Sequence, residues 1–249
     1  MKIYTYHEDI GFEKQLELIE FWKDSWGKQG FDPVVLNRED AKRSPLYQPY
    51  YELVQRVHKS ISGKTLPDNY WLAAQLEIVA FTTIDKAEIA YISDYDVINK
   101  NFRHKDISGK LHWRDDCCSC FASGNGEAWI RYVDFLLSEE KTITDWCLQE
   151  KEKTKRTEYG DQDFLIAVHP KGLEKNIYKI SRSPNLCKMY FPNIENKNIQ
   201  LYHISHNNVF YFIESYKKYN KIFNVEDSHI DYSNLEEIRL NIARQLLYD

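Results

Sequence analysis

The chain of 249 residues lacks the marks of membrane, secreted and uniformly basic proteins. No apolar run approaches the roughly 18 residues that a membrane-spanning helix needs, so we expect no integral membrane segment. Residues 1–7 alternate apolar and polar side chains and lack the long apolar core of a secretory leader, which predicts a cytoplasmic protein. The net charge of −5 excludes a uniformly basic nucleic-acid binder but is compatible with a local basic cleft.

Cysteine is also scarce, and its pattern argues against a disulfide-stabilised fold. An odd number of cysteines in an intracellular chain does not suit a disulfide framework. Two of them have Cys-x-x-Cys spacing, but no second such pair exists, and with His112 the group still falls one ligand short of a zinc site. We interpret the clustered cysteines as small buried strand residues, with a structural metal as the alternative. The five cysteines are Cys117, Cys118, Cys120, Cys147 and Cys187.

The residues that are present indicate an α/β fold. Hydrophobic residues make up 43% of the chain and charged residues 29%, as in soluble proteins with a full core. Strands are predicted at Lys2–His7 and Phe31–Asn37, with a helix between Gly11 and Trp26, and this β-α-β order starts a parallel sheet. Further helices are predicted at Leu46–Ile61, Asn69–Ile84, Glu127–Ser138, Ile143–Gln149, Asn207–Tyr219 and Leu235–Leu247. Further strands are predicted at Cys117–Ala122 and Ile199–Ser205, with a turn at 124–126 and a charged linker at 151–156.

The most informative stretch is Glu88–Ile98, an apolar strand that ends in Asp94-Tyr95-Asp96. On an extended backbone residues i and i+2 point to the same side, so the two carboxylates are expected to converge at the strand's carboxyl end. Ligands of open α/β sheets lie outside those ends, and paired carboxylates there can bind a hard divalent cation that holds a diphosphate. A solvated turn is the alternative.

Basic residues follow the two aspartates between Lys100 and Arg114, and they include Arg103 and Lys105. Such a loop is either a solvated surface or, because it follows the paired carboxylates, a contact for an anionic ligand.

Two other segments carry polar side chains beside apolar helices. Asp161-Gln162-Asp163 directly precedes an apolar run, where Asp161 caps a helix or the carboxylates bind sugar hydroxyls or act as a base. Trp71 and Gln75 lie on the helix before the Asp-x-Asp strand, where they either pack or face the cleft.

Histidine and glycine add two further candidates. His203, on an alternating strand and close to His206, is either a packed side chain or a metal ligand, and the sequence does not decide between the two histidines. Gly124 lies at a strand-to-helix junction, where glycine lets the backbone approach a ligand closely. The junction is not the Gly-x-Gly-x-x-Gly fingerprint of dinucleotide-binding folds.

Several of these motifs, in this order, resemble the nucleotide-sugar-binding half of GT-A glycosyltransferases, chiefly the glycogenin-like and initiating mannosyltransferase-like groups. The resemblance covers roughly residues 1–210. It rests on Trp22–Trp26, Pro33–Asn37 with Asp40-Ala41, Trp71–Ala74, Tyr91–Val97, Gly160–Asp163 and Leu201–Ser205. The chain departs from the glycogenin-like pattern because it lacks an Asn-x-Gly element in 117–126 and a His-Gly-x-Lys-Pro-Trp ending.

The resemblance implies a single GT-A domain with a Rossmann-like mixed sheet flanked by helices. It implies a nucleotide-binding half at 1–115, an acceptor or sugar half at 116–210, and C-terminal helices at 211–249. Asp94, Asp96 and His203 would bind Mn²⁺ or Mg²⁺, and Asp161 and Asp163 would face the transferred sugar as catalytic residues. The residues that would bind the donor are Tyr6, His7, Trp71, Gln75, Asp94, Gly124 and Gln162.

The implied activity is transfer of a sugar from a nucleoside-diphosphate sugar to an acceptor hydroxyl of a glycan or lipid-linked sugar. A glycosyltransferase of hydroxymethylated bases in viral DNA is an alternative, in which Arg103 and Lys105 would contact the acceptor or its phosphates. A metal-dependent phosphatase or nucleotidyltransferase and a non-catalytic nucleotide-sugar binder are the remaining alternatives, because paired aspartates with a metal serve those functions as well.

Overall fold

The computed structural model describes residues 1–11, 14–104, 107–113, 120–180, 200–204, 237, 239–244 and 247. The chain forms two compact units, each assembled from separated stretches. The first unit comprises Met1–Ile10, Val34–Ser93 and Lys105–Arg182, and the second comprises Gly11–Pro33, Asp94–His104 and Ser183–Asp249. The division into a nucleotide-binding half, an acceptor half and C-terminal helices stays a prediction.

Strands and helices follow one another in groups along the described chain, with β3 to β6 and α5 to α7 each consecutive. The strands are β1 (Lys2–Tyr6), β2 (Asp32–Leu36), β3 (Ile89–Ser93), β4 (Val97–Asn99), β5 (Leu111–Trp113), β6 (Phe121–Asn125), β7 (Tyr178–Ile180) and β8 (Leu201–His203). The helices are α1 (Gln15–Lys28), α2 (Arg38–Lys42), α3 (Tyr47–Ser62), α4 (Tyr70–Phe81), α5 (Gly126–Ser138), α6 (Glu140–Thr154) and α7 (Asp161–Glu174).

The main sheet has six strands in the order β2-β1-β3-β6-β5-β7. β1 pairs with β3 in parallel, β3 and β5 pair with β6 in antiparallel orientation, and β5 pairs with β7 in parallel. The predicted fold class, an α/β fold with a mixed sheet flanked by helices, is confirmed. A separate two-stranded sheet joins β4 to β8.

The core of the first unit forms where apolar helix faces meet the main sheet. α3 buries Tyr50, Leu53, Val54, Val57 and Ile61, which recur at the three- and four-residue spacing of one helix face. α4 is apolar almost all round and is buried accordingly.

The second unit has a smaller core of its own. Leu18 of α1, Ile98 of β4, Tyr202 of β8 and Leu240 of the C-terminal segment belong to one buried apolar cluster. The described residues of that segment, 237, 239–244 and 247, are helical, as predicted for Leu235–Leu247. The predicted helix at Asn207–Tyr219 lies outside the described residues.

Two local predictions were wrong. Most of the predicted charged linker at 151–156 belongs to α6, because Lys and Glu favour helices, and the helix ends only where Lys155 adopts a left-handed conformation. No turn separates β6 from α5: the strand continues through Asn125, whose side chain accepts a hydrogen bond from the backbone N–H of Ala128 and caps the helix.

Two of the five cysteines, Cys120 and Cys147, are among the described residues, and Cys117, Cys118 and Cys187 lie outside them. Cys120 is buried, as predicted, and Cys147 is buried in α6. Burial raises the pKa of the Cys147 thiol to about 12, which makes it unreactive at neutral pH.

None of the helices among the described residues is both long enough and apolar enough to cross a membrane.

Candidate functional site

The two aspartates of the Asp-x-Asp motif lie on a tight turn between β3 and β4. The backbone N–H of Val97 donates to the carbonyl oxygen of Asp94 at 3.0 Å, which closes a four-residue turn. The extended backbone predicted for Asp94 and Asp96 was therefore wrong. The carboxylates nevertheless converge, because the turn places both beside the same histidine.

Strand pairing brings that histidine into place. β8 runs antiparallel to β4 with His203 opposite Val97, and the backbone N–H of Ile204 donates to the Asp96 carbonyl oxygen at 2.9 Å. Val97, the last residue of the turn, and His203, the last residue of β8, are thus fixed side by side. This register accounts for the approach of two segments about a hundred residues apart in sequence.

The three side chains form a compact group. His203 Nε2 lies 3.2 Å from Asp96 Oδ1 and 3.7 Å from Asp94 Oδ2. One ligand atom from each residue falls within 4.8 Å of the others. The side chains of His203 and Asp96 are only 8% and 13% exposed, whereas that of Asp94 is 30% exposed. The predicted convergence of Asp94, Asp96 and His203 is confirmed, and His206 lies outside the described residues.

The donor set fits a hard divalent cation. Two carboxylates and one imidazole supply oxygen and nitrogen atoms from three residues, and such cations accept six or more ligands. Three protein ligands therefore leave further positions for water or for the oxygens of a phosphate group.

A buried arginine also contacts this group. Nη2 of Arg239 donates to Asp96 Oδ2 at 2.8 Å, and its Nε donates to the carbonyl oxygen of Ile204 at 2.8 Å. The Arg239 side chain is 1% exposed, so its charge is desolvated and the carboxylate compensates it.

Helix α1 supports the turn and β4 from one side. The indole Nε1 of Trp26 donates to the Val97 carbonyl oxygen at 3.0 Å. The Gln15 amide donates to the hydroxyl of Tyr95, the residue between the two aspartates, at 2.9 Å. The turn is therefore held at both its central and its last residue.

The Asp-Gln-Asp segment begins α7 in the first unit. Asp163 is buried, and its Oδ2 accepts hydrogen bonds from the Gly160 backbone N–H at 2.9 Å and from Arg156 Nη2 at 2.8 Å. Arg156 Nη1 reaches the other oxygen at 3.2 Å, so the pair is bidentate. The helix cap was predicted at Asp161, but the capping contact comes from Asp163, while Asp161 is the half-buried first residue of α7.

The predicted donor-binding residues of α4 are differently placed. The Gln75 side chain is fully buried, and its amide accepts a hydrogen bond from the Tyr50 hydroxyl at 2.6 Å and donates to the Tyr159 carbonyl oxygen at 3.2 Å. Trp71 is half-buried, and the guanidinium of Arg156 lies 5.6 Å from its ring centre. The side chain of Gln75 is thus hydrogen-bonded inside the first unit, while Trp71 belongs to the surroundings of Asp163, and their roles in donor binding stay predictions.

The remaining predicted donor residues lie on the main sheet and on α7. The Tyr6 hydroxyl donates to Glu8 at 2.9 Å, and burial raises the pKa of Tyr6 well above its usual value. His7 is half-buried. Gly124 lies in β6, where a Cβ atom would approach the Leu111 Cα to 3.3 Å, so a close strand contact also explains this glycine. Gln162 is exposed.

Arg103 is the one of the two predicted acceptor contacts that lies within the described residues. Arg103 is exposed in the second unit, whereas Lys105 lies outside the described residues.

Arg239 and Arg156 were not predicted as site residues. Arg239 lies between Ile238 and Leu240 in the predicted terminal helix, but Glu236 and Glu237 stand just before it, so the sequence gives only a weak signal of a buried charge. Arg156 ends a charged run and carries no comparable signal, because basic residues in such runs are usually solvated.

Comparison with known proteins gives likenesses at the level of structure. No family model and no curated protein matches the sequence. The apo form of the glycosyltransferase GlyE from Streptococcus pneumoniae TIGR4 aligns with 98% of this chain at 13% identity and a TM-score of 0.43. A second GlyE structure aligns with 100% of it at 14% identity and a TM-score of 0.43. This chain spans 64% and 65% of the length of those two chains.

The galactosyltransferase LgtC is a third structure to which this chain is similar. LgtC in complex with donor and acceptor sugar analogs aligns with 91% of this chain and 98% of its own, at 13% identity and a TM-score of 0.44.

Proposed function

We propose that this protein is a metal-dependent glycosyltransferase that moves a sugar from a nucleoside-diphosphate sugar to an acceptor hydroxyl. The observation that carries the proposal is the convergence of Asp94, Asp96 and His203 within 4.8 Å at the end of an apolar strand. The order of the sequence motifs supports the same function.

The chemistry of sugar transfer suits such a group. A nucleoside diphosphate leaves as the glycosidic bond breaks, and a bound Mn²⁺ or Mg²⁺ would neutralise the charge that develops on it. Asp94 and Asp96 would each contribute a carboxylate oxygen, and His203 would contribute Nε2, the nitrogen nearest to both. The low exposure of Asp96 and His203 strengthens their electrostatic interactions with a cation.

In the first unit, Asp161 and Asp163 are proposed to face the transferred sugar, with Gln162, Trp71, Gln75 and Gly124 contributing to donor binding. Tyr6 and His7, at the end of β1, are proposed to contact the nucleotide base. Of the two carboxylates, Asp161 is the better candidate for a direct contact with the sugar, because it is half-buried whereas Asp163 is buried.

The experiment that tests the proposal is a panel of nucleotide sugars incubated with the full chain and Mn²⁺, with and without acceptors. Release of nucleoside diphosphate from one donor, with a matching mass increase on a glycan or lipid-linked acceptor, is the expected result. Release of inorganic phosphate or pyrophosphate would instead indicate a phosphatase or nucleotidyltransferase. Metal-dependent donor binding without turnover on any acceptor would indicate a binding protein.

DNA carrying hydroxymethylated bases belongs in the acceptor panel because Arg103 is exposed and follows the metal-binding turn in sequence. Modification of such DNA should weaken steeply with salt, since each phosphate contact releases counterions. Replacing Arg103 and Lys105 by alanine should flatten that dependence without changing donor hydrolysis. Transfer to a neutral oligosaccharide at the same rate, independent of salt, would exclude a polyanionic acceptor.

A further inference from the structure

Arg239 connects two of the segments that build the metal-binding group. Its Nη2 donates to Asp96 Oδ2 on the turn, and its Nε donates to the Ile204 carbonyl oxygen, both at 2.8 Å. Ile204 directly follows His203, the third member of the group. One guanidinium therefore holds a ligand carboxylate and the residue next to the ligand imidazole.

The hydrogen bond to Arg239 gives the two oxygens of the Asp96 carboxylate different partners. Oδ2 is bound by the guanidinium, while Oδ1 is the oxygen that lies 3.2 Å from His203 Nε2. The carboxylate cannot rotate about its last bond without losing a charge-assisted hydrogen bond in a buried place.

We propose that Arg239 is a positioning residue of the metal site, which aims Asp96 Oδ1 at the cation and holds β8 beside it. This inference rests on the proposed function, because it assumes that the group binds a divalent cation. Its consequence is that Asp96 binds the cation through one oxygen only.

The charge of Arg239 also suits a diphosphate ligand. With a neutral imidazole, the two carboxylates and the guanidinium carry one net negative charge, and a divalent cation changes this to one net positive charge. Without Arg239 the occupied site would be neutral. The arginine therefore favours an anionic ligand on the occupied site.

Packing fixes the position from which Arg239 acts. The neighbouring Leu240, Ile242 and Ala243 are buried in the apolar cluster of the second unit. Glu237, on the same segment, pairs with Lys14 beside α1. The C-terminal segment thus holds the guanidinium through apolar contacts and an ion pair that do not involve the metal ligands.

A titration of the full chain with Mn²⁺, followed by electron paramagnetic resonance of the free ion, tests this inference without donor or acceptor. Arg239→Met removes the charge and keeps a similar apolar stem. Arg239→Lys keeps the charge but lacks the guanidinium fork that reaches both Asp96 Oδ2 and the Ile204 carbonyl oxygen. Arg244→Met is the matched control, because Arg244 lies on the same segment and pairs with Glu17 and Glu237 at the surface.

We expect Arg239→Lys, which keeps the charge but loses the orienting fork, to weaken Mn²⁺ binding by roughly 10–100-fold, as is usual when a group that orients a metal ligand is lost. Arg239→Met also removes a positive charge, which by itself favours a cation, so its affinity should lie between those of Arg239→Lys and the wild type. Arg244→Met should match the wild type. Circular dichroism and melting temperature establish which variants are folded.

A folded Arg239→Lys that binds Mn²⁺ as tightly as the wild type would overturn the inference. Should that variant fail to fold, Arg239→Met decides: affinity equal to or above that of the wild type overturns the inference, and weaker binding at an unchanged fold supports it. An equal loss in Arg244→Met would also overturn it. If the wild type binds no Mn²⁺, the proposed metal-dependent function is itself contradicted. If the wild type binds Mn²⁺ and the Arg239 variants bind it equally well, only the inference on Arg239 fails.

Discussion

At the scale of single residues, the two aspartates of each polar motif have different surroundings although they are only two positions apart. In the group of Asp94, Asp96 and His203, Asp96 is bound by a buried arginine, and Asp94 is more exposed than Asp96. In the Asp-Gln-Asp segment Asp163 is buried against Arg156, and Asp161 is half-buried. Sequence alone treats such neighbours as equivalent, because the partner that distinguishes them is distant in the chain or carries no signal of its own.

This difference predicts different effects of two substitutions on α7. Asp163→Asn should lower the free energy of unfolding by about 1–3 kcal/mol, because it weakens the hydrogen bonds to Arg156 and to the Gly160 N–H. Asp161→Asn, at a half-buried position, should lower stability less than Asp163→Asn does and should lower turnover by orders of magnitude. Urea unfolding and donor turnover of the two variants provide the measurements. Unchanged stability in Asp163→Asn would show that its carboxylate does not cap the helix.

At the scale of elements, three helices begin directly after an asparagine, although only α4 was predicted to begin at its capping residue. Asn37, Asn69 and Asn125 each precede a helix and accept hydrogen bonds from its first backbone N–H groups. Helix ends were harder to predict, since α6 continues through charged residues whose helix propensity is high. At Asp94–Asp96 the turn was only the alternative to an extended backbone, because the apolar run before it favours an extended continuation.

The start of α5 is a place where only glycine fits. A Cβ atom at Gly126 would lie 2.0 Å from the Ile84 carbonyl oxygen and 2.9 Å from that of Asp85, both backbone atoms that cannot move independently. Gly126→Ala should therefore destabilise the fold by about 1–3 kcal/mol. Gly27→Ala in α1, where nothing lies within 4 Å of the added atom, is the matched control and should be neutral or stabilise by up to about 1 kcal/mol. Equal effects of the two substitutions on chemical denaturation would argue against the close contact.

The junction of α5 and α6 predicts a dependence of stability on acid pH. Glu139 accepts hydrogen bonds from Lys171 and Lys175 of the α7 region, and chiefly the bond from Lys171 lowers its pKa from 4.5 to about 2. A carboxyl group whose pKa is lower in the folded state stabilises the fold above its unfolded pKa. That contribution should be present above about pH 4.5 and lost as pH falls towards 2.

The comparison of wild type with Glu139→Gln measures this contribution. The difference in their free energies of unfolding should be constant near neutral pH and shrink between pH 4.5 and 2. A difference that does not change over that interval would contradict the assigned ion pairs.

At the scale of the whole molecule, the sequence predicted the α/β class and the convergence of Asp94, Asp96 and His203, and it missed the contacts that hold these residues in place. The strand pattern pointed to Asp94 and Asp96, whereas the family resemblance pointed to His203 and left His206 open. The contacts of Arg239, Trp26 and Gln15 depend on tertiary packing between segments far apart in sequence, which no local pattern encodes. The contacts that hold the site in place could therefore be identified only from the structure.

The central claim is that Asp94, Asp96 and His203 bind the divalent cation on which donor turnover depends. Asp94→Asn is the sharpest variant, because Asp94 is the most exposed of the three and its loss does not leave Arg239 without its carboxylate. Asp24→Asn is the matched control, since Asp24 lies on the surface of α1 and pairs with Lys28.

The decisive measurement is the release of nucleoside diphosphate from the preferred nucleotide sugar after treatment with EDTA and readdition of Mn²⁺. The account predicts that EDTA abolishes turnover and that Mn²⁺ restores it in the wild type and in Asp24→Asn, but not in a folded Asp94→Asn at the same Mn²⁺ concentration. Full, EDTA-resistant turnover in Asp94→Asn would contradict the account.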